Sequence, residues 1–129
     1  MRVAIDLMVS DQAPQVLFLA VLEAAKHLTS DDVLFAIALP KVIEELSSSS
    51  SDNDFAKIQF VSADSVVKPD EDPLLATRRK KGSSLAKGIA LLKEGTVDAF
   101  VTTGNTGALI AQATISPVSY THLTLPTKA

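Results

Sequence analysis

At 129 residues the chain has room for one small domain with a real core and none for two. An apolar fraction of 47%, with no Trp and one Tyr, leaves Ala, Val, Leu and Ile to build that core, as in sheets covered by helices on both faces. A net charge of -3 offers no global positive field and speaks against a nucleic-acid binder, while the absence of Cys excludes disulfides, thiolate metal sites and a thiol nucleophile.

The amino terminus, Met1-Arg2-Val3-Ala4-Ile5-Asp6, lacks the apolar core and cleavage site of a secretory signal. The longest apolar run, Val16 to Leu22, falls far short of the ~20 residues that cross a bilayer. The expectation is a cytoplasmic protein. Val3 to Ile5 reads as a buried parallel strand ending at Asp6. A loop with Ser10 and Asp11 as capping candidates leads to Pro14, suited to a first helical turn, and a mostly buried helix follows from Pro14 to about Leu28.

Val33 to Leu39 is the second strand; Pro40 stops it and opens a short helix over Lys41 to Leu46. The five serines Ser47 to Ser51, followed by Asp52-Asn53-Asp54, read as a loop with nothing to bury. Lys57 to Ser62 alternates apolar and polar residues, which places a strand near the sheet edge. Helices are expected from Pro73 through Lys81 and from Ser83 or Ser84 to Lys93, the second stopped by Gly95. Ala99 to Val101 is the fourth strand, and Ala108 to Ala111 starts another helix. This alternation of strands and helices predicts an α/β fold with a doubly wound, mostly parallel sheet and right-handed crossovers. Residues 1–115 form the domain. Residues 116–129 have two prolines, scattered threonines and no amphipathic period, and read as a non-native tail outside it.

Two segments carry the strongest chemistry. Arg78-Arg79-Lys80-Lys81 sets four cations in a row, before Gly82 and the capping candidates Ser83 and Ser84. Exposed N–H groups at the helix start that follows would add positive potential, so the segment reads as an anion site or as a solvated basic helix end. Thr102-Thr103-Gly104-Asn105-Thr106-Gly107 leaves the carboxyl end of a strand and opens a helix, the place where open α/β sheets bind ligands. Its glycines permit close approach of backbone N–H groups to an oxyanion, and Asn105 and Thr106 add donors. It is neither a GxGxxG turn nor a Walker loop. Asp6 sits at a third strand end, where a carboxylate could orient donors. His27 and His122 have no partner at metal-ligand spacing, so no metal is assigned, and no Ser/His/Asp set can be assembled.

In this order, the three segments resemble those of the bacterial phosphate acyltransferase family of the PlsX type. Ala4-Ile5-Asp6-Leu7-Met8 with Asp11, Ala13 and Pro14 resembles its opening strand and loop; Asp72-Pro73, Arg78 to Lys81 and Ser83-Ser84 resemble its basic segment; Asp98 to Val101 and Gly104 to Leu109 resemble its glycine-asparagine loop. The likeness runs to about Ile115. The resemblance implies a truncated isocitrate dehydrogenase/phosphate acetyltransferase-like fold and transfer of a fatty acyl group from acyl-ACP to inorganic phosphate, giving acyl phosphate for phospholipid synthesis. No cofactor is implied. Acyl carrier protein and inorganic phosphate are the implied partners, with a homodimer in the full-length protein and peripheral contact with the membrane. The residues implied to hold phosphate or substrate are Asp6, Arg78, Arg79, Lys80, Lys81, Ser83, Ser84, Gly104, Asn105, Thr106 and Gly107; no catalytic residue is assigned. Where the family usually has a Gly-Gly pair and a His in the opening loop, this chain has Val9-Ser10 and Gln12. The other readings are a non-catalytic module binding phosphate or carrier protein, and a phosphotransacetylase-like enzyme using acyl-CoA.

Overall fold

The computed structural model describes residues 1–8, 10, 12–48, 56–68, 70–102, 107, 109–111 and 123–124. Asp11, most of the serine loop, Gly104, Asn105 and Thr106 lie outside the described residues. The elements run β1 (Arg2–Asp6), α1 (Pro14–Ala25), β2 (Val33–Ala38), α2 (Pro40–Ser48), β3 (Ile58–Ser62), α3 (Pro73–Arg79), α4 (Ser84–Lys93), β4 (Ala99–Val101) and β5 (Leu123–Thr124). The strands form one sheet in the order β3-β2-β1-β4-β5, every neighbouring pair parallel. Asp6 stands opposite Ile37 of β2, and Ala4 lies between Phe35 and Phe100. The α/β doubly wound class expected from the alternation of elements is the class observed.

Side-chain alternation along each strand divides the core in two. Val3 and Ile5 of β1, Leu34, Ala36 and Ala38 of β2, and Ile58 and Phe60 of β3 face α1 and α2. Ala4, Phe35, Ile37, Val61 and Phe100 face the layer containing Ala76 of α3 and Leu85, Ile89 and Leu92 of α4. On the first face the rings of Phe18 and Phe60 are tilted, with centroids 5.5 Å apart. On the second, Gly88 lies against the Phe100 ring so closely that a β-carbon there would fall 2.2 Å from Cζ. The absent side chain lets α4 rest directly on β4.

Local chemistry explains most helix ends. Asp72 caps α3 by accepting from the Leu75 N–H at 3.0 Å, with Pro73 in the first turn. Ser83 caps α4, its hydroxyl accepting from the Ala86 N–H at 3.1 Å. Gly95, with φ of 77°, follows α4 and takes the left-handed turn that stops it. At α1 the expected side-chain cap is absent: Ala13 occupies the cap position, Ser10 Oγ instead accepts from the Gln12 N–H at 3.0 Å, and Pro14 begins the helix. Nor is α1 mostly buried. It covers the sheet with Phe18 and Val21 and leaves Val16 and Leu19 exposed, because none of the described residues forms a layer beyond it.

The third strand, expected near an edge, is one of the two edge strands of the described sheet. Within the stretch read as a non-native tail, Leu123–Thr124 pairs with Phe100 and Val101. Two extended residues need no hydrophobic period to pair, so periodicity could not reveal them.

Candidate functional site at the switch point of the sheet

From β1 the chain builds outward through β2 to β3, then returns to place β4 on the other side of β1. That reversal leaves a crevice outside the carboxyl ends of β1 and β4, the usual ligand position in open parallel sheets. Asp6 ends β1 and Thr102 follows β4. The α3–α4 excursion leaves β3 and comes back to the same edge: the Ala63 N–H donates to Ala38 O at 3.0 Å, and Ser84 opens α4 beside Asp6.

Asp6 is the centre of this arrangement. One carboxylate oxygen accepts from the Met8 N–H at 2.9 Å, and the other accepts from Ser84 Oγ at 3.0 Å. The Thr102 side chain adds a third hydrogen bond. Asp6, Ser84 and Thr102 are 2%, 0% and 3% exposed. Burial pushes the Asp6 carboxyl up to about 6, against the pull of its hydrogen bonds from Met8, Ser84 and Thr102. No cation contributes to that balance. A buried carboxylate without a counter-ion costs stability, and such groups gather at functional sites.

The basic segment divides into two kinds of residue. Lys80 is turned inward: its ammonium donates to Val66 O at 2.7 Å and pairs with Glu71. Hydrogen bonding from Lys80, then from the Lys68 N–H, holds the Glu71 carboxyl below its usual range. Arg78, Arg79 and Lys81 are exposed. The bend itself is tied to the end of β3, with the Asp64 N–H donating to Gly82 O at 3.0 Å and the Ser84 N–H to Ser65 O at 3.0 Å. Gly82 does not adopt the positive φ of a left-handed turn. It makes room for Asp64, whose Oδ2 would lie 2.2 Å from a β-carbon at position 82.

Of the residues read from the sequence as ligand contacts, Ser83 caps α4 and Ser84 holds Asp6, so both hydroxyls serve the protein interior. Lys80 serves as a tie. Arg78, Arg79 and Lys81 are the cations of the segment that face solvent. Gly107 is exposed and helical, and Leu109 beyond it is buried against the α4 face. Gly104, Asn105 and Thr106 fall outside the described residues. Thr102, which opens the donor-rich segment in the sequence but was not among the residues implied to hold phosphate or substrate, lies straight after β4, level with Asp6 on the neighbouring strand.

On the α1 face of the same edge lies an apolar groove of about 200 Å³, lined by Ile5, Leu17, Ala20, Val21, Ala24 and Val101 together with Asp6 and Thr102. It forms where α1 presents alanines rather than larger residues toward β1 and β4. The carboxyl ends of β1 and β4 therefore combine a buried carboxyl with an apolar groove.

A family model described as fatty acid synthesis protein matches residues 1–127. The chain is 39% identical over 116 residues to a phosphate acyltransferase of Thermoanaerobacter pseudethanolicus, covering 90% of this chain and 33% of that protein. It is 38% identical over 115 residues to one of Clostridium acetobutylicum, covering 89% and 34%, and 40% identical over 114 residues to one of Magnetococcus marinus, covering 87% and 31%. The chain thus spans about a third of the length of the curated relatives it matches. By the extent of the family match, the chain belongs to the fatty acid synthesis protein family of PlsX-type phosphate acyltransferases.

Proposed function

We propose that this chain is part of an enzyme that transfers a fatty acyl group from acyl-ACP to inorganic phosphate, releasing free carrier protein and acyl phosphate. What supports the reading is the Asp6–Ser84–Thr102 cluster at the switch point of a parallel sheet, with Ser84 following directly on the bend after the basic segment. The reaction moves an acyl group from sulfur to a phosphate oxygen: the C–O bond forms, the C–S bond breaks, and the thiolate takes up a proton. Holding phosphate in line with the thioester carbonyl and stabilising the oxyanion supply most of such catalysis.

Arg78 and Arg79 are suited to phosphate because a guanidinium meets two oxygens at once, and Lys81 adds a point charge. The same exposed cations offer a landing surface for the acidic carrier protein. On this reading the donor-rich sequence Gly104 to Gly107 completes the phosphate site. The apolar groove gives an acyl chain a surface beside the polar edge. In the whole enzyme we take the partners to be acyl carrier protein, phosphate and a second copy of the chain, with cytoplasmic work at the membrane surface. Among the described residues no helix is long and apolar enough to cross a membrane.

The test is a chimera in which residues 1–115 of this chain replace the matching part of the Thermoanaerobacter pseudethanolicus relative. Supplied with acyl-ACP and phosphate, it should release carrier protein only when phosphate is present, and the Arg79→Ala form should need more phosphate. Faster turnover with acyl-CoA than with acyl-ACP would favour a phosphotransacetylase-like enzyme. A folded chimera that binds phosphate and carrier protein but turns nothing over would leave a binding module.

A further inference from the structure

Asp6 is a buried carboxyl to which the reading above gives no step of its own, and its surroundings give it two distinct states. Ionised, it can only accept, so the Ser84 hydroxyl must point its single proton inward. Protonated, it can itself donate to Ser84 or Thr102, which frees one hydroxyl proton for another acceptor. The two states also differ in charge at the carboxyl ends of β1 and β4, where the first repels an anion and the second does not.

Among the described residues no neighbouring ion fixes the choice. Opposite Asp6 in the register of β2 is Ile37; α4 presents Ser84, the end of β4 presents Thr102, and the following turn presents the Met8 N–H. Lys87, one turn along α4, is exposed, as are Asp64, Arg78, Arg79 and Lys81 on the excursion from β3, and Lys80 pairs with Glu71. A charge arriving at this edge therefore acts on a buried, hydrogen-bonded carboxyl that has no counter-charge among the described residues.

Resting on the phosphate-handling role argued above, we propose that Asp6 is a proton-exchanging positioning residue. It takes a proton from solvent when a phosphate-class anion settles at the carboxyl edge of β1 and β4, resets Ser84 and Thr102, and returns the proton when the anion leaves. Anion uptake and proton uptake are then reciprocal, each favouring the other by the same factor.

The experiment follows the Asp6 carboxyl carbon by NMR in the full chain labelled with carbon-13 aspartate, as pH is raised from about 4 to about 8. Titrations run without anion, with inorganic phosphate and with sulfate, whose charge is constant across that range. Without anion the midpoint should lie at about 6. With either anion it should move up by about half a pH unit, and sulfate affinity should fall by the matching ~3-fold as pH rises through the midpoint. In Asp6→Asn that fall should vanish. A midpoint unmoved by an anion that demonstrably binds overturns the proposal and leaves the functional reading standing. Failure of phosphate and sulfate to bind at any pH removes both. Should Asp6→Asn not fold, the titration of the unaltered chain still decides.

Discussion

The Ser84 hydroxyl donates to Asp6 across 3.0 Å, joining residues 78 positions apart at a fully buried point between α4 and β1. This one contact fastens the start of the helix on one face of the sheet to the end of its central strand. Much of the behaviour of the site follows from it.

The first consequence is an unusual dependence of stability on pH. Asp6 holds its proton up to about 6 in the folded chain, against 3.8 for an ordinary aspartate. Its contribution is therefore fully present below about pH 4 and is lost as pH rises through about 6, a fall of about 3 kcal/mol by linkage. Asp32 acts in the opposite sense: its hydrogen bond from the Met1 ammonium, with those from Thr29, holds its carboxyl down to about 2, so what it adds is lost as pH falls below the ordinary range. Urea unfolding across pH should show greatest stability in the weakly acidic range. In Asp6→Asn the decline toward neutral pH should disappear.

Ser84→Ala should extend that decline rather than abolish it. Removing the Ser84 donor strips away an interaction that favours the ionised carboxylate, so the Asp6 midpoint should rise further. The loss of a buried hydrogen bond should also cost about 1–3 kcal/mol at neutral pH. Carbon-13 titration and urea unfolding of the same sample check both effects, and an unchanged midpoint would show that the contact is absent in solution.

Lys80 and Arg79 are adjacent in sequence and should behave in opposite ways. Lys80→Ala removes the partner of Glu71 and of Val66 O, and should destabilise the chain by about 1 kcal/mol with little effect on anion affinity. Arg79→Ala alters an exposed side chain and should leave stability within about 0.5 kcal/mol while weakening phosphate binding. Thermal unfolding and phosphate titration of the two variants separate a structural cation from a functional one.

Gly88→Ala tests the packing of α4. Alanine is the better helix former by about 1 kcal/mol, yet its β-carbon would overlap the Phe100 ring. Phe100 is buried to 1% exposure and has nowhere to swing, so the substitution should destabilise by about 1–3 kcal/mol. Adding Phe100→Leu should recover part of that loss, giving the coupling expected of two residues in contact. Additive losses in the double-mutant cycle would count against the close fit.

The chain alone should give no acyl phosphate from acyl-ACP and phosphate, and should be of low stability, because it spans about a third of its relatives. Mass spectrometric detection of acyl phosphate above background would refute this expectation.

The architecture was readable because β1, β2 and β4 are short apolar runs and β3 alternates, and because Pro14, Pro40 and Pro73 mark helix starts. The site was legible by position and less so by role. A row of four cations announces charge, but only geometry shows Lys80 folded back onto Glu71 while Arg78 and Arg79 face water. Ser83 and Ser84 look equivalent on paper. One caps its own helix and the other reaches a strand 78 residues away, a distinction set by the rotation of α4 over the sheet. Thr102 was legible as the start of a ligand-site segment but not as a partner of Asp6, which lies nearly a hundred residues earlier and becomes its neighbour only when β4 docks beside β1. The missing cap of α1 shows the reverse case: Ser10 has the right chemistry, but it closes a turn of its own two residues on.

Val16 and Leu19, on the outer side of α1, give the chain a practical character beyond its chemistry. A helix greasy on both sides behaves like the middle layer of a stack rather than an outer skin. Produced by itself, such a polypeptide becomes a client of chaperones and proteases, and its abundance in a cell depends on how soon that ridge finds shelter.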